Sequence, residues 1–109
     1  MANFVEVASV EQLPSGSGRV VRIDGKEVAI FNVDGTIYAT ADSCLHQGLS
    51  LGTSKLDGKI VTCRGPGWKY DVTTGSMLAS PELGVAVYPA KVVDGKILVA
   101  TDETVNSAA

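Results

Sequence analysis

Two short stretches in the middle of the chain hold the side chains most suited to chemistry. Cys44-Leu45-His46 is followed by 16 intervening residues and then by Cys63-Arg64-Gly65-Pro66. A thiolate and an imidazole two positions apart on one loop can face a single metal, and a second thiolate on a neighbouring loop can join them. Donors of this softness suit zinc or iron and serve magnesium and calcium poorly. Cys44 and Cys63 are the only cysteines and His46 is the only histidine, so these three are the whole supply of such donors. Three ligands with a fourth position open also describe a mononuclear zinc or iron site on Cys44, His46 and Cys63, with Asp42 the nearest carboxylate in sequence. In a reducing compartment, metal or redox chemistry is the expected use of two such cysteines, and a disulfide is the less expected one.

Loops of this kind need a rigid frame. Four Asp-Gly pairs punctuate the chain, at 24–25, 34–35, 57–58 and 94–95. Asp-Gly tolerates the positive φ values of a type I′ turn, whose twist matches that of the strands on either side. Each pair is flanked by β-branched or aromatic residues, as in Thr36-Ile37-Tyr38-Ala39-Thr40 and Lys59-Ile60-Val61-Thr62-Cys63. The pattern predicts four hairpins and an all-β antiparallel meander or sandwich. Helix signals are confined to Ser9–Leu13, where Ser9 is a candidate N-cap and Pro14 a terminator. Between Thr40 and Lys59, and again at Gly65-Pro66-Gly67, the strand signal lapses and glycine takes over, so both cysteines are expected on loops. Read by itself, Gly65-Pro66-Gly67 is a tight turn.

The loop pair resembles the Rieske family, whose motif is Cys-x-His, a gap of similar length, and Cys-x-x-His. The flanks Gln47-Gly48 and Gly67-Trp68-Lys69-Tyr70-Asp71-Val72-Thr73-Thr74-Gly75 look like those of the soluble ferredoxin components that serve ring-hydroxylating dioxygenases. Pro81-Glu82-Leu83, Val87-Tyr88-Pro89 and Lys91–Ile97 fit the closing strands of that group, so the resemblance covers nearly the whole chain. It implies a Rieske-type (ISP domain) β-sandwich with a two-loop cluster-binding subdomain, and a [2Fe–2S] cluster with two cysteines on one iron and two histidines on the other. It also implies a one-electron carrier, not an enzyme, with a flavoprotein reductase and an oxygenase as protein partners. Cys44, His46 and Cys63 are the cluster and metal ligands under this reading, and no catalytic residue is expected. The cysteine pair that forms a disulfide in respiratory-chain relatives is replaced here by Leu49 and Gly65.

One position departs from the motif. Pro66 stands where the second histidine belongs, so cluster binding is expected to be impaired or altered. A cluster-free subunit or docking module on the same fold, as the small subunits of some nitrite reductases resemble, is the competing function. Trp68 is expected to pack beneath the second loop, and Leu45, Leu49 and Pro66 to form an apolar rim beside it.

Composition narrows the partners. The chain of 109 residues is one domain, read as residues 1–103 with a frayed tail at 104–109. Net charge is −3 and the nine Lys and Arg are scattered, which argues against nucleic acid and suits docking onto a basic protein face. The first residues lack a basic stretch followed by an apolar one, and no apolar run reaches membrane-spanning length, so a cytoplasmic protein with no membrane contact is expected.

Overall fold

The computed structural model describes residues 3–43, 50–63 and 67–105. Strands β1 (Val5–Ser9), β2 (Gly18–Ile23), β3 (Lys26–Val33) and β4 (Thr36–Ala41) come first, with one 3₁₀ turn at Val10–Gln12. Then follow β5 (Lys55–Asp57), β6 (Ile60–Thr62), β7 (Lys69–Asp71), β8 (Ser76–Met77) and β9 (Ser80–Gly84). The chain closes with β10 (Val87–Tyr88), β11 (Ala90–Val93) and β12 (Lys96–Val99). Among the described residues all strand pairings are antiparallel, in three sheets ordered β1-β12-β11, β10-β4-β3-β2 and β5-β6-β7-β8-β9. The expected all-β antiparallel fold is the one observed.

Local chemistry sets most of the turns. Asp24, Asp34 and Asp94 have φ of 50°, 51° and 51°, and the glycine after each is also positive, as a type I′ turn requires. Strand pairs Ile23↔Lys26, Val33↔Thr36 and Val93↔Lys96 close around them. The pair at 57–58 behaves differently. Asp57 is a strand residue opposite Ile60, so the two-residue loop is Gly58-Lys59, with only Gly58 at positive φ (62°). A single positive φ at the first loop position is the type II′ pattern, and glycine supplies it there. At the N-terminal end, the side-chain oxygen of Gln12 accepts the Ser9 N–H at 3.0 Å, fixing the start of the 3₁₀ turn.

Strand β3 explains how the layers stack. It is buried continuously from Val28 to Asn32, because sheet covers both of its faces. Ala29 and Phe31 point into a core shared with Val61, Tyr70, Val72 and Met77 of the five-stranded sheet. Val28 and Ile30 point into a second core with Ala8, Ile97 and Val99 of the three-stranded sheet. The alternation is the two-residue period of a strand. The four-stranded sheet is therefore the middle layer, and Phe31, fully buried, contributes about 1.5–3 kcal/mol of hydrophobic burial to the core on the side of the cysteine loops. Past β12, the Val105 N–H donates to the Val87 carbonyl at 2.8 Å. Among the described residues no helix is long and apolar enough to cross a membrane.

Candidate metal centre

Both cysteine-bearing loops lead into the five-stranded sheet. The first connects β4 to β5, and the second connects β6 to β7. Cys44, His46 and the rim residues Leu45 and Leu49 lie outside the described residues, as does Pro66. What the structure shows is how the ends of each loop are held.

The first loop is tied at its base by Asp42, which is buried directly after β4. Its backbone N–H donates to the Glu27 carbonyl at 3.2 Å, continuing the ladder with β3. Its carbonyl accepts the Leu51 N–H at 2.7 Å. Its Oδ1 accepts two more bonds, from the Gly52 N–H at 2.7 Å and from Ser50 Oγ at 2.9 Å. Ser43 and Ser50 form an isolated antiparallel bridge, and Ser54 Oγ donates to the Ser50 carbonyl at 2.7 Å. A buried carboxylate needs several donors to be tolerated, and here it receives them from the far side of the loop. The sequence offered Asp42 only as the carboxylate nearest the cysteine. Its function as a strap depends on residues eight and ten positions later.

The second loop is shorter and closes by a backbone bond. The Cys63 N–H donates to the Trp68 carbonyl at 2.7 Å, and Gly67 sits at φ 81°, a conformation that favours glycine. Cys63 itself is 1% exposed and belongs to the core cluster with Leu51, Phe31 and Tyr70. Trp68 is half-buried and packs against that cluster, as expected for a residue beneath the loop. Leu51, just past the first loop, and Cys63, at the start of the second, therefore share one core. Beside Cys63, an open cleft of about 640 Å³ is lined by Thr53, Ser54, Lys55, Thr62, Cys63 and Gly67.

The carboxylate of Asp71 lies at the opposite end of the β6–β7 pair, where Asp71 faces Ile60. Its Oδ1 accepts the Thr73 N–H at 2.9 Å and Thr73 Oγ1 at 2.6 Å, and its Oδ2 pairs with Lys59 Nζ at 3.3 Å. Partial burial works to raise its pKa, but the Thr73 bonds and Lys59 outweigh it and hold the carboxyl below its ordinary value. This is a turn cap, committed to the frame and not to the loops. Among the described residues, no three His, Cys, Asp or Glu side chains gather as a metal site.

Comparison with known proteins gives the family. The Rieske [2Fe–2S] domain pattern matches residues 3–89. The biphenyl dioxygenase ferredoxin subunit of Pseudomonas sp. strain KKS102 is 38% identical over 98 residues, covering 88% of this chain and 90% of the relative. A chain of the solved complex of reduced oxygenase and oxidized ferredoxin in carbazole 1,9a-dioxygenase superposes with a TM-score of 0.81 at 30% identity, over 89% of this chain and 92% of that one. A Mycobacterium tuberculosis chain described as an NADH-dependent nitrite reductase small subunit superposes with a TM-score of 0.84 at 27% identity, over 92% and 96%. With its two cysteine loops set into a small five-stranded sheet, this chain belongs to the Rieske [2Fe–2S] domain family.

Proposed function

We propose that the chain is the ferredoxin component of an oxygenase system, carrying one electron from a flavoprotein reductase to the oxygenase. The observation that carries this reading is the near end-to-end match to a dioxygenase ferredoxin subunit, 38% identical over 88% of the chain. The solved complex of an oxygenase with a ferredoxin supports an oxygenase as the acceptor. Cys44, His46 and Cys63 are the residues that would hold the cluster. The architecture suits that role, because each loop is tied at its base to a rigid sheet and the two bases meet in one core. The same reading places the chain in the cytoplasm, where thiols remain reduced and available to iron.

The donor set does not fit a complete Rieske centre. Such a cluster needs two cysteines and two histidines. This chain has two cysteines and one histidine, with Pro66 at the remaining position. That mismatch, together with the nitrite reductase small-subunit neighbour, favours a second reading, a cluster-free subunit that docks on a larger enzyme.

Protein purified without oxygen separates the two. A visible spectrum with charge-transfer bands, an EPR signal after reduction, and iron with acid-labile sulfide support the carrier. Colourless, iron-free protein that co-purifies with a larger oxidoreductase subunit supports the docking module and ends the carrier reading for this chain.

A further inference from the structure

Each of the three sheets ends on two edge strands, and β11 is the edge left most open to pairing. On β10, the Val87 carbonyl accepts the Val105 N–H at 2.8 Å. On β2, Gly52 of the first loop base packs against Arg19 and Val20. Strand β9 contains Pro81 and pairs with β8 through a register shift, β1 has a shift between Glu6 and Ala8, and β5 is three residues long. Bulges, proline, covering chain and shortness are the usual means of keeping an edge from pairing. Strand β11, four residues long, has no proline, no register shift and no covering chain among the described residues.

The hairpin fixes where the free backbone groups of β11 lie. Val93↔Lys96 closes a two-residue turn, so that pair exchanges both of its N–H···O bonds, and bonded pairs recur at every second residue. The Ala100 N–H donates to the Pro89 carbonyl at 3.0 Å, in step with this alternation. Pro89, Lys91 and Val93 therefore turn their backbone toward β12, and Ala90 and Val92 turn theirs to the open edge. Neither finds a hydrogen-bond partner there among the described residues. The side chains alternate too. Val92 lies on the face of Ile97 and Ala8, both buried, yet is itself 44% exposed, so the sheet overhangs its core at this edge. A cleft of about 380 Å³ borders Ala90, with Ile37, Tyr38, Tyr88 and Val105 in its lining.

We propose that the β11 edge takes up an extended segment of a partner protein as a fourth, antiparallel strand, with an acidic residue opposite Lys91 and an apolar residue on each side of it. Ala90 and Val92 supply the main-chain bonds that give such a strand its affinity, and alternate side chains give it specificity. Residues opposite Ala90 and Val92 share their face, beside the cleft and the exposed Val92. The residue between them lies on the other face, next to Lys91. Lys91 is exposed and has no carboxylate partner among the described residues. Its ammonium rests 4.1 Å from the Phe4 ring centroid, on a flexible four-carbon stem that can swing to the edge. Opposite charges directly across a strand pair attract. A second copy of this chain fits worse. Pairing two β11 strands through both Ala90 and Val92 sets Lys91 against Lys91 of the second copy, and like charges there are destabilising.

The test uses the full ¹⁵N-labelled chain and does not depend on metal content. It is titrated with two peptides blocked at both ends, Thr-Val-Glu-Val-Thr and its counterpart with Lys in place of Glu. The acidic peptide should shift the amides of Ala90, Lys91, Val92 and Val93 and slow solvent exchange of the Ala90 and Val92 N–H groups. It should bind several-fold more tightly than the basic one at low salt, and the difference should shrink in about 0.5 M salt. Val92→Pro removes an N–H that faces the open edge, a place where strands tolerate proline, and should weaken binding about fivefold or more. Lys91→Glu leaves the backbone intact and should reverse the preference, so that the basic peptide binds better.

Shifts that fall elsewhere, or no saturable shifts at all, overturn the proposal. So do equal affinities for the two peptides in the wild-type chain, or a preference that Lys91→Glu leaves unchanged, a result that stands whether or not Val92→Pro folds. Concentration-dependent dimers that protect the Ala90 and Val92 amides would make a second copy the occupant and overturn it as well.

Discussion

Asp42 Oδ1 accepts the Gly52 N–H at 2.7 Å, so one buried carboxylate joins the two ends of the first cysteine loop. Both partners are buried, and Ser50 Oγ donates to the same oxygen. Removing the acceptor leaves the Gly52 N–H without its bond in a place water does not reach. Asp42→Ala is therefore expected to cost about 1–3 kcal/mol of folding stability, the penalty of an orphaned buried donor. Asp42→Asn keeps an oxygen at the same place and should recover most of the loss. Urea denaturation of the three proteins checks this, and equal loss in both variants would show that the oxygen is not the strap.

Gly52 is held on its other side by strand β2. A Cβ there would lie 2.7 Å from Val20 Cγ2 and 3.0 Å from the Arg19 carbonyl oxygen. The Arg19 oxygen is backbone and cannot swing aside, so Gly52→Ala must push the loop base away from the middle sheet. Overpacking of this kind costs about 1–3 kcal/mol. The measurement is again chemical denaturation, accompanied by faster iron loss from reconstituted protein.

Asp71 keeps its charge to lower pH in the folded chain than in the unfolded one. Its folded pKa is depressed by Thr73 and Lys59 against the opposing effect of burial. The unfolded chain therefore takes up this proton at higher pH than the folded one. The stabilisation is fully present above the unfolded pKa and is lost as pH falls through the folded value. Asp71→Asn should flatten the acid limb of a stability–pH curve while leaving its neutral-to-alkaline part parallel to wild type. Thr73→Val, which removes the 2.6 Å hydroxyl bond, should flatten it partly.

Trp68 is the only tryptophan, and its carbonyl closes the second loop on Cys63. Loading an iron–sulfur cluster onto Cys63 places a visible-absorbing group within a few residues of that indole. Tryptophan emission is expected to fall in step with iron uptake and to return on chelation. Emission that stays constant while iron binds would locate the metal away from the second loop.

Cys63→Ala separates packing from ligation. The thiol is a small part of a core in which Leu51, Phe31 and Tyr70 are fully buried, so the fold should survive the substitution. Iron uptake should not. Circular dichroism together with iron analysis gives both answers from one preparation, and an iron content equal to that of wild type would remove Cys63 from the ligand set.

Much of this protein is legible without coordinates, and for definable reasons. The sign of φ is a property of single residues, so the Asp-Gly pairs at 24, 34 and 94 announced their turns directly. At Asp57 the same dipeptide misled by one residue, because pairing of Asp57 with Ile60 decided the register of a short hairpin. The donor inventory was also settled by composition alone: one histidine cannot serve as two, and no folding of the chain gives proline a side-chain ligand atom. The pairing of β1 with β12 and of β10 with β4 belongs to the tertiary structure, since local alternation says which residues form strands and not which distant strand receives them. So does the work of Asp42. Its partners become neighbours only when the loop folds back on the middle sheet, and a hydrogen bond made across eight or ten residues leaves no mark on the sequence around it.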